Sequence, residues 1–212
     1  MRTIYVYLLD TLADWELGHI TAELNSKRFF KKDAAEITIK TVSYNKESIR
    51  TMGGMRITPD CSIEDVVVEE KNLLLLPGAD TWGDGKHQAI IEKANRFLSE
   101  GAGVAAICGA TVPLANFGML DHRLHTSNGS GFLEMFCLNY QGSKNYVDQP
   151  AVSADNLITA SATGNLLWTK EIIAYLEVFE LDTLTAWYNY FETGEAGFFY
   201  QLMESLPEKE IN

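Results

Sequence analysis

Cysteine is scarce in this 212-residue chain, and the scarcity narrows its chemistry. The three cysteines, Cys61, Cys108 and Cys137, are too few for a disulfide framework, and none has the Cys-x-x-Cys spacing of a zinc site. Long apolar runs are missing as well: none approaches the ~20 residues that a membrane-spanning helix needs. The opening residues lead into a strand rather than a secretory leader, so the expected location is the cytoplasm. Basic charge is in short supply. The net charge is -12, with no basic stripe and no helix-turn-helix signature, which argues against a nucleic-acid partner. Such an acidic balance speaks mainly of solubility. No repeat and no low-complexity segment breaks the chain, and the residues imply no metal and no organic cofactor.

What is present is an alternation of strands and helices. Residues 3–9 are β-branched and aromatic and read as a first strand. Asp14 then stands as N-cap of a helix from about Trp15 to Phe30, with Leu17, Ile20, Leu24 and Phe29 as its buried stripe. Residues 35–43 alternate with period two, a second strand. Residues 49–58 form a bent strand or hairpin, and Ser62 caps a short helical turn. The unbroken apolar runs at 71–76 and 103–108 are strands buried on both faces. An amphipathic helix, 88–100, lies between them and stops at Gly101. Further on come a helix to about Phe117, a short strand at 124–127, a helix at 131–136 and extended pieces at 147–156 and 157–160. Helices at 165–179, 182–191 and 196–206 complete the chain. This pattern predicts an α/β fold: a doubly wound parallel sheet with helices on both faces, in a domain of residues 1–181. Residues 182–212 are expected as a helical extension packed on the same domain. Its aromatic residues, Trp187 to Phe191 and Phe198 to Tyr200, either join the core or build a subunit interface.

The organising stretch is 103–116. A buried strand ends at Cys108, and Gly109-Ala110-Thr111 leads at once into a helix with Pro113 in its first turn. Strand, sharp turn and helix make a nucleophile elbow, with Cys108 at a helix start that favours thiolate over thiol. A lowered thiol pKa is therefore expected. Sites in such sheets lie beyond the carboxyl ends of the strands, where Glu16, Gly78, Cys108 and Thr163 also fall. Gly78 and Ala79 follow a buried strand, and their N–H groups are candidate oxyanion donors; Gly109 and Asn128 are further candidates for substrate binding. His87 sits in a polar stretch and is expected to face solvent.

These segments together resemble the ThiJ/PfpI superfamily, of the class I glutamine-amidotransferase-like, flavodoxin-like fold. The matching pieces are Asp14-Trp15-Glu16, the strand end 75–80, the elbow 105–110, and the stretches 114–120, 125–127 and 155–161. The resemblance makes Cys108 the reactive cysteine, Glu16 the acid that hydrogen-bonds it, and Gly78 with Ala79 the oxyanion turn. It implies hydrolase or amidase chemistry, or glyoxalase or deglycase chemistry, on a small carbonyl substrate; it also implies a homodimer. Departures are plain. Gly109 stands where protease-like members carry a His after the cysteine, and Asn128 where many members carry another. His125 is the last histidine, so the late His-x-Glu of true glutamine amidotransferases is missing. A base for Cys108 is not evident among His19, His122 and His125, which leaves an oxidative-stress sensor, or a non-catalytic binding protein, as the alternative.

Overall fold

A computed structural model describes residues 1–207. The strands are β1 (Arg2–Tyr7), β2 (Ile37–Ser43), β3 (Ile49–Arg50), β4 (Arg56–Ile57), β5 (Cys61–Ser62), β6 (Leu73–Leu76), β7 (Gly103–Ile107), β8 (Ala151–Ala154) and β9 (Leu157–Ala160). The helices are α1 (Asp14–Ser26), α2 (Gln88–Ser99), α3 (Thr111–Asn116), α4 (Phe132–Phe136), α5 (Asn165–Leu176), α6 (Leu181–Thr193) and α7 (Ala196–Glu204). Seven strands form one sheet in the order β5-β2-β1-β6-β7-β9-β8, parallel except for the hairpin of β8 on β9. β3 and β4 pair apart as a small antiparallel hairpin.

The unbroken apolar runs lie where their composition demands. β6 and β7 occupy the middle of the sheet and are buried along their whole length, because helices cover both faces there. β2, nearer the edge, keeps the alternation of a half-exposed strand. α2 packs on β6 and β7, α1 on β2, and α5 on β7, β8 and β9. Leu17, Ile20, Leu24 and Phe29 are buried as expected. So is Trp187 of α6, whose indole N–H donates to Glu23 Oε1 on α1 at 3.1 Å. The tail thus places one aromatic in the core and leaves Phe199 and Tyr200 exposed. Residues 208–212 of the expected extension lie outside the described residues.

Several local expectations are corrected. Asp14 is the first residue of α1, not its N-cap; Ala13 takes that position, and the Asp14 carboxylate instead accepts the Gly53 N–H at 2.6 Å. α1 ends at Ser26, with Lys27 in the left-handed region. Residues 124–127 do not form a strand. A single bridge from His125 to Tyr146 is all the pairing they make, since β9 already occupies the edge of β7.

Candidate active site

The chain leaves β7 through a sharp reversal at Cys108, which adopts a φ of 57°. A side chain in this left-handed region costs about 1–2 kcal/mol, so its surroundings must hold it there. Two hydroxyls do so. Thr111 Oγ1 donates to the Cys108 carbonyl at 2.7 Å, which leaves Ser127 to donate to Thr111 Oγ1, also at 2.7 Å. Neither hydroxyl was singled out from the sequence. Thr111 was legible in principle, three residues past the elbow; Ser127 arrives from a distant loop.

Glu16 enters from the first turn of α1 and is completely buried. Its Oε2 accepts the Gly78 N–H at 2.5 Å, while the Gly78 carbonyl accepts the Ala13 N–H at 2.9 Å. The turn after β6 is thereby clamped to the start of α1. A Cβ on Gly78 would lie 2.8 Å from the Cys108 Cβ and 2.8 Å from Glu16 Oε1. Only glycine lets the cysteine and the carboxyl come together across this turn. Glu16 Oε1 has no hydrogen-bond partner among the described residues. The Cys108 thiol stands beside the carboxyl, and each group shifts the other's pKa.

The electrostatics reverse one expectation. Burial pushes the Glu16 carboxyl up to about 7, against the opposing pull of the Gly78 N–H and the Cys108 thiol. Burial also raises the Cys108 thiol; the Asn128 amide pulls it back, and the Glu16 charge adds to the rise. The helix-start effect predicted a lowered thiol. It loses chiefly to the burial of the sulfur, to which the charge of the neighbouring Glu16 adds. Near neutral pH the pair holds a thiol and a carboxyl poised to give or take a proton, and two adjacent negative charges are disfavoured.

Gly78 is likewise corrected as an oxyanion donor: its one N–H is committed to Glu16. The Ala79 N–H has no hydrogen-bond partner among the described residues and stays available. Gly109 runs against Ala79, with a Cβ on it falling 3.3 Å from the Ala79 carbonyl oxygen. Its own N–H faces the sulfur and steadies the thiolate form. Asn128 donates from Nδ2 to Cys108 Sγ at 3.4 Å. Its orientation is set by Oδ1, which accepts the Ala162 N–H at 2.8 Å.

These groups open on a cleft of about 540 Å³ that includes Gly78, Ala79, Cys108, Gly109 and Asn128. Trp15, Met52, Phe132 and Phe136 also line it, and none of them was assigned to the site from the sequence. Thr163 belongs instead to a neighbouring hollow beyond Asn128. No histidine lines the cleft. His125 is buried, its ring held between the Arg123 carbonyl at 2.7 Å and the Tyr140 hydroxyl at 2.5 Å. His19 packs on Trp187 and Phe191. His87 is only 2 % exposed, which overturns its expected solvent position: its Nδ1 lies 2.7 Å from the Tyr7 hydroxyl, and its ring packs edge-on against Trp82. Among the described residues no cluster of three or more His, Cys, Asp or Glu could hold a metal ion. No helix among them is long and apolar enough to cross a membrane.

Known proteins share this arrangement of strands and helices. YoaZ of Bacillus subtilis, named an uncharacterized protease, is 44% identical over 205 residues, which is 97% of this chain and 98% of that protein. A thiJ/pfpI family protein from Bacillus anthracis has a crystal structure that superposes with a TM-score of 0.95 at 47% identity, over 98% of this chain and 99% of its own. A deglycase of Pyrococcus abyssi is 26% identical over 149 residues, 69% of this chain and 86% of that one. The sequence model of the DJ-1/PfpI family matches residues 2–175, from the first strand through α5. Sheet, elbow and relatives agree, and the chain belongs to the DJ-1/PfpI family.

Proposed function

We propose that the chain adds the Cys108 sulfur to the carbonyl of a small electrophile, in chemistry of the glyoxalase or deglycase kind. The observation that carries this reading is the crowding of Cys108 and a buried Glu16, poised near pH 7, together against the bare Cα of Gly78. Glu16 in its ionised form takes the thiol proton as the S–C bond forms and the carbonyl π pair moves to oxygen. The free Ala79 N–H holds the oxyanion, and Glu16 returns the proton to it, giving a hemithioacetal. With a 2-oxoaldehyde, the same carboxyl can carry a proton from C1 to C2. Water then releases a 2-hydroxy acid and restores the thiol.

A poised carboxyl suits this sequence better than it suits amide hydrolysis. Cleaving an amide needs one group to protonate the leaving amine and a base to activate water, and no histidine lines the cleft to share the work with Glu16. The test is consumption of a 2-oxoaldehyde by wild type, Cys108→Ser and Glu16→Gln. Cys108→Ser is expected to abolish it, and turnover that survives that change would remove the nucleophile from the reading.

A second reading rests on the unpartnered Glu16 Oε1 and the Asn128 amide aimed at the sulfur. Both suit an oxidised sulfur. A peroxide would convert the thiolate to sulfenic and then sulfinic acid, losing one water at each step, and a protonated Glu16 would donate to the new oxygen. Peroxide-dependent mass gain at Cys108 without aldehyde consumption would favour this reading.

A further inference from the structure

The cleft beside Cys108 is one-sided in its chemistry. Trp15 is 51 % exposed, Met52 46 % and Phe136 57 %, so large apolar side chains stand open to water around a reactive sulfur. Val112 and Phe132 extend the same wall, with the Phe132 and Phe136 rings 4.9 Å apart. The Trp15 indole is held in place rather than swinging free. Its N–H donates to the Ala162 carbonyl at 3.2 Å, and the Trp15 carbonyl accepts from Asn165 Nδ2 at 3.0 Å. A fixed and exposed apolar wall is a binding surface waiting for an apolar group. Charge points the same way. Asp80 is the single charged residue in the lining, and no Lys, Arg or His joins it, in a chain whose net charge is -12. An anionic substrate would find no cation to meet it.

We infer that the site selects uncharged carbonyl compounds that bear an apolar group of aryl size on the carbon next to the one the sulfur attacks, and that it turns away carboxylates and phosphates. The inference rests on the proposed carbonyl chemistry and adds the substrate class. The cleft, at about 540 Å³, has room for such a group. Exchanging the methyl of methylglyoxal for a phenyl ring adds apolar area worth roughly 30-fold in kcat/KM, about 2 kcal/mol at ~1.4 kcal/mol per decade.

The experiment compares phenylglyoxal, methylglyoxal and glyoxylate in wild type and Phe136→Ala. In parallel, Cys108 is alkylated with 2-bromoacetophenone and with iodoacetate, read by mass spectrometry and normalised to each reagent's rate on free cysteine. Phenylglyoxal is expected to exceed methylglyoxal by about 30-fold, with glyoxylate inert. Phe136→Ala should shrink that ratio several-fold. The aryl reagent should outpace iodoacetate at Cys108 by far more than it does on free cysteine. Equal turnover of the two 2-oxoaldehydes, or a ratio that Phe136→Ala leaves alone, overturns the inference. If no aldehyde is consumed, the carbonyl reading fails by itself. The alkylation rates then still decide the cleft's preference: an aryl advantage upholds it, and rates that match free cysteine refute it.

Discussion

Replacing Glu16 with Gln should make the protein more stable at pH 8 while it destroys the chemistry. The carboxyl holds its proton in the folded chain up to about pH 7, and in the unfolded chain only below about 4.5. Folding therefore takes up a proton between these values, and stability falls as pH rises across that window. A displacement of this size corresponds to roughly 3 kcal/mol by pH 8, at ~1.36 kcal/mol per pH unit. Gln keeps the shape of the side chain, and its amide oxygen can still accept the Gly78 N–H. It carries no charge to bury, so the pH-dependent loss should vanish. Urea unfolding of wild type and Glu16→Gln at pH 4.5, 6 and 8 measures this directly. Wild type is expected to lose stability steadily from pH 4.5 to 8. The variant should stay flat from Glu16's contribution and exceed wild type at pH 8 by up to about 3 kcal/mol. Parallel pH curves, or a variant less stable at pH 8, would refute the reasoning, because either would mean that Glu16 is not a strained buried acid. A buried acid that lowers stability in this way is what the proposed proton transfer by Glu16 requires.

Three further outcomes follow from the same geometry. Gly78→Ala should cost about 1–3 kcal/mol of stability by urea unfolding, and most of the aldehyde turnover, since its methyl would overlap both Cys108 and Glu16. Asn128→Ala should slow Cys108 alkylation at pH 8, because the amide that draws the thiol pKa down is gone; an unchanged or faster rate would show that the 3.4 Å contact does not tune the sulfur. Trp187→Ala should cost about 3–5 kcal/mol by urea unfolding, because a fully buried indole is removed and its donor to Glu23 is lost.

Much of this molecule was legible from local pattern. The runs at 73–76 and 103–107 are apolar without alternation, as short strands covered on both faces are. The elbow was legible because strand, Cys108 and helix follow one another directly. Glu16 could be placed near the site because it follows the first strand as Cys108 follows β7. What escaped was set by contacts between residues far apart in the chain. The Gly78 N–H is taken by a carboxyl 62 residues away. His87 is buried by Tyr7, 80 residues away, so its polar neighbours in sequence were no guide. The thiol pKa went the wrong way because a helix start is visible in sequence, whereas burial and the approach of Glu16 belong to the fold. Asp14 has the composition of a cap, but the hairpin turn at Gly53 claimed its carboxylate.

The most direct test of a Cys108–Glu16 pair acting on carbonyls is the pH–rate profile of 2-oxoaldehyde consumption, in wild type and Glu16→Gln. If ionised Glu16 takes the thiol proton, the wild-type rate rises with a midpoint about pH 7, where this carboxyl titrates. Glu16→Gln should lose that midpoint and fall roughly a hundred- to ten-thousand-fold in rate. A wild-type midpoint at the ordinary thiol value of ~8.5, unchanged in Glu16→Gln, would contradict the pairing and leave Cys108 acting alone.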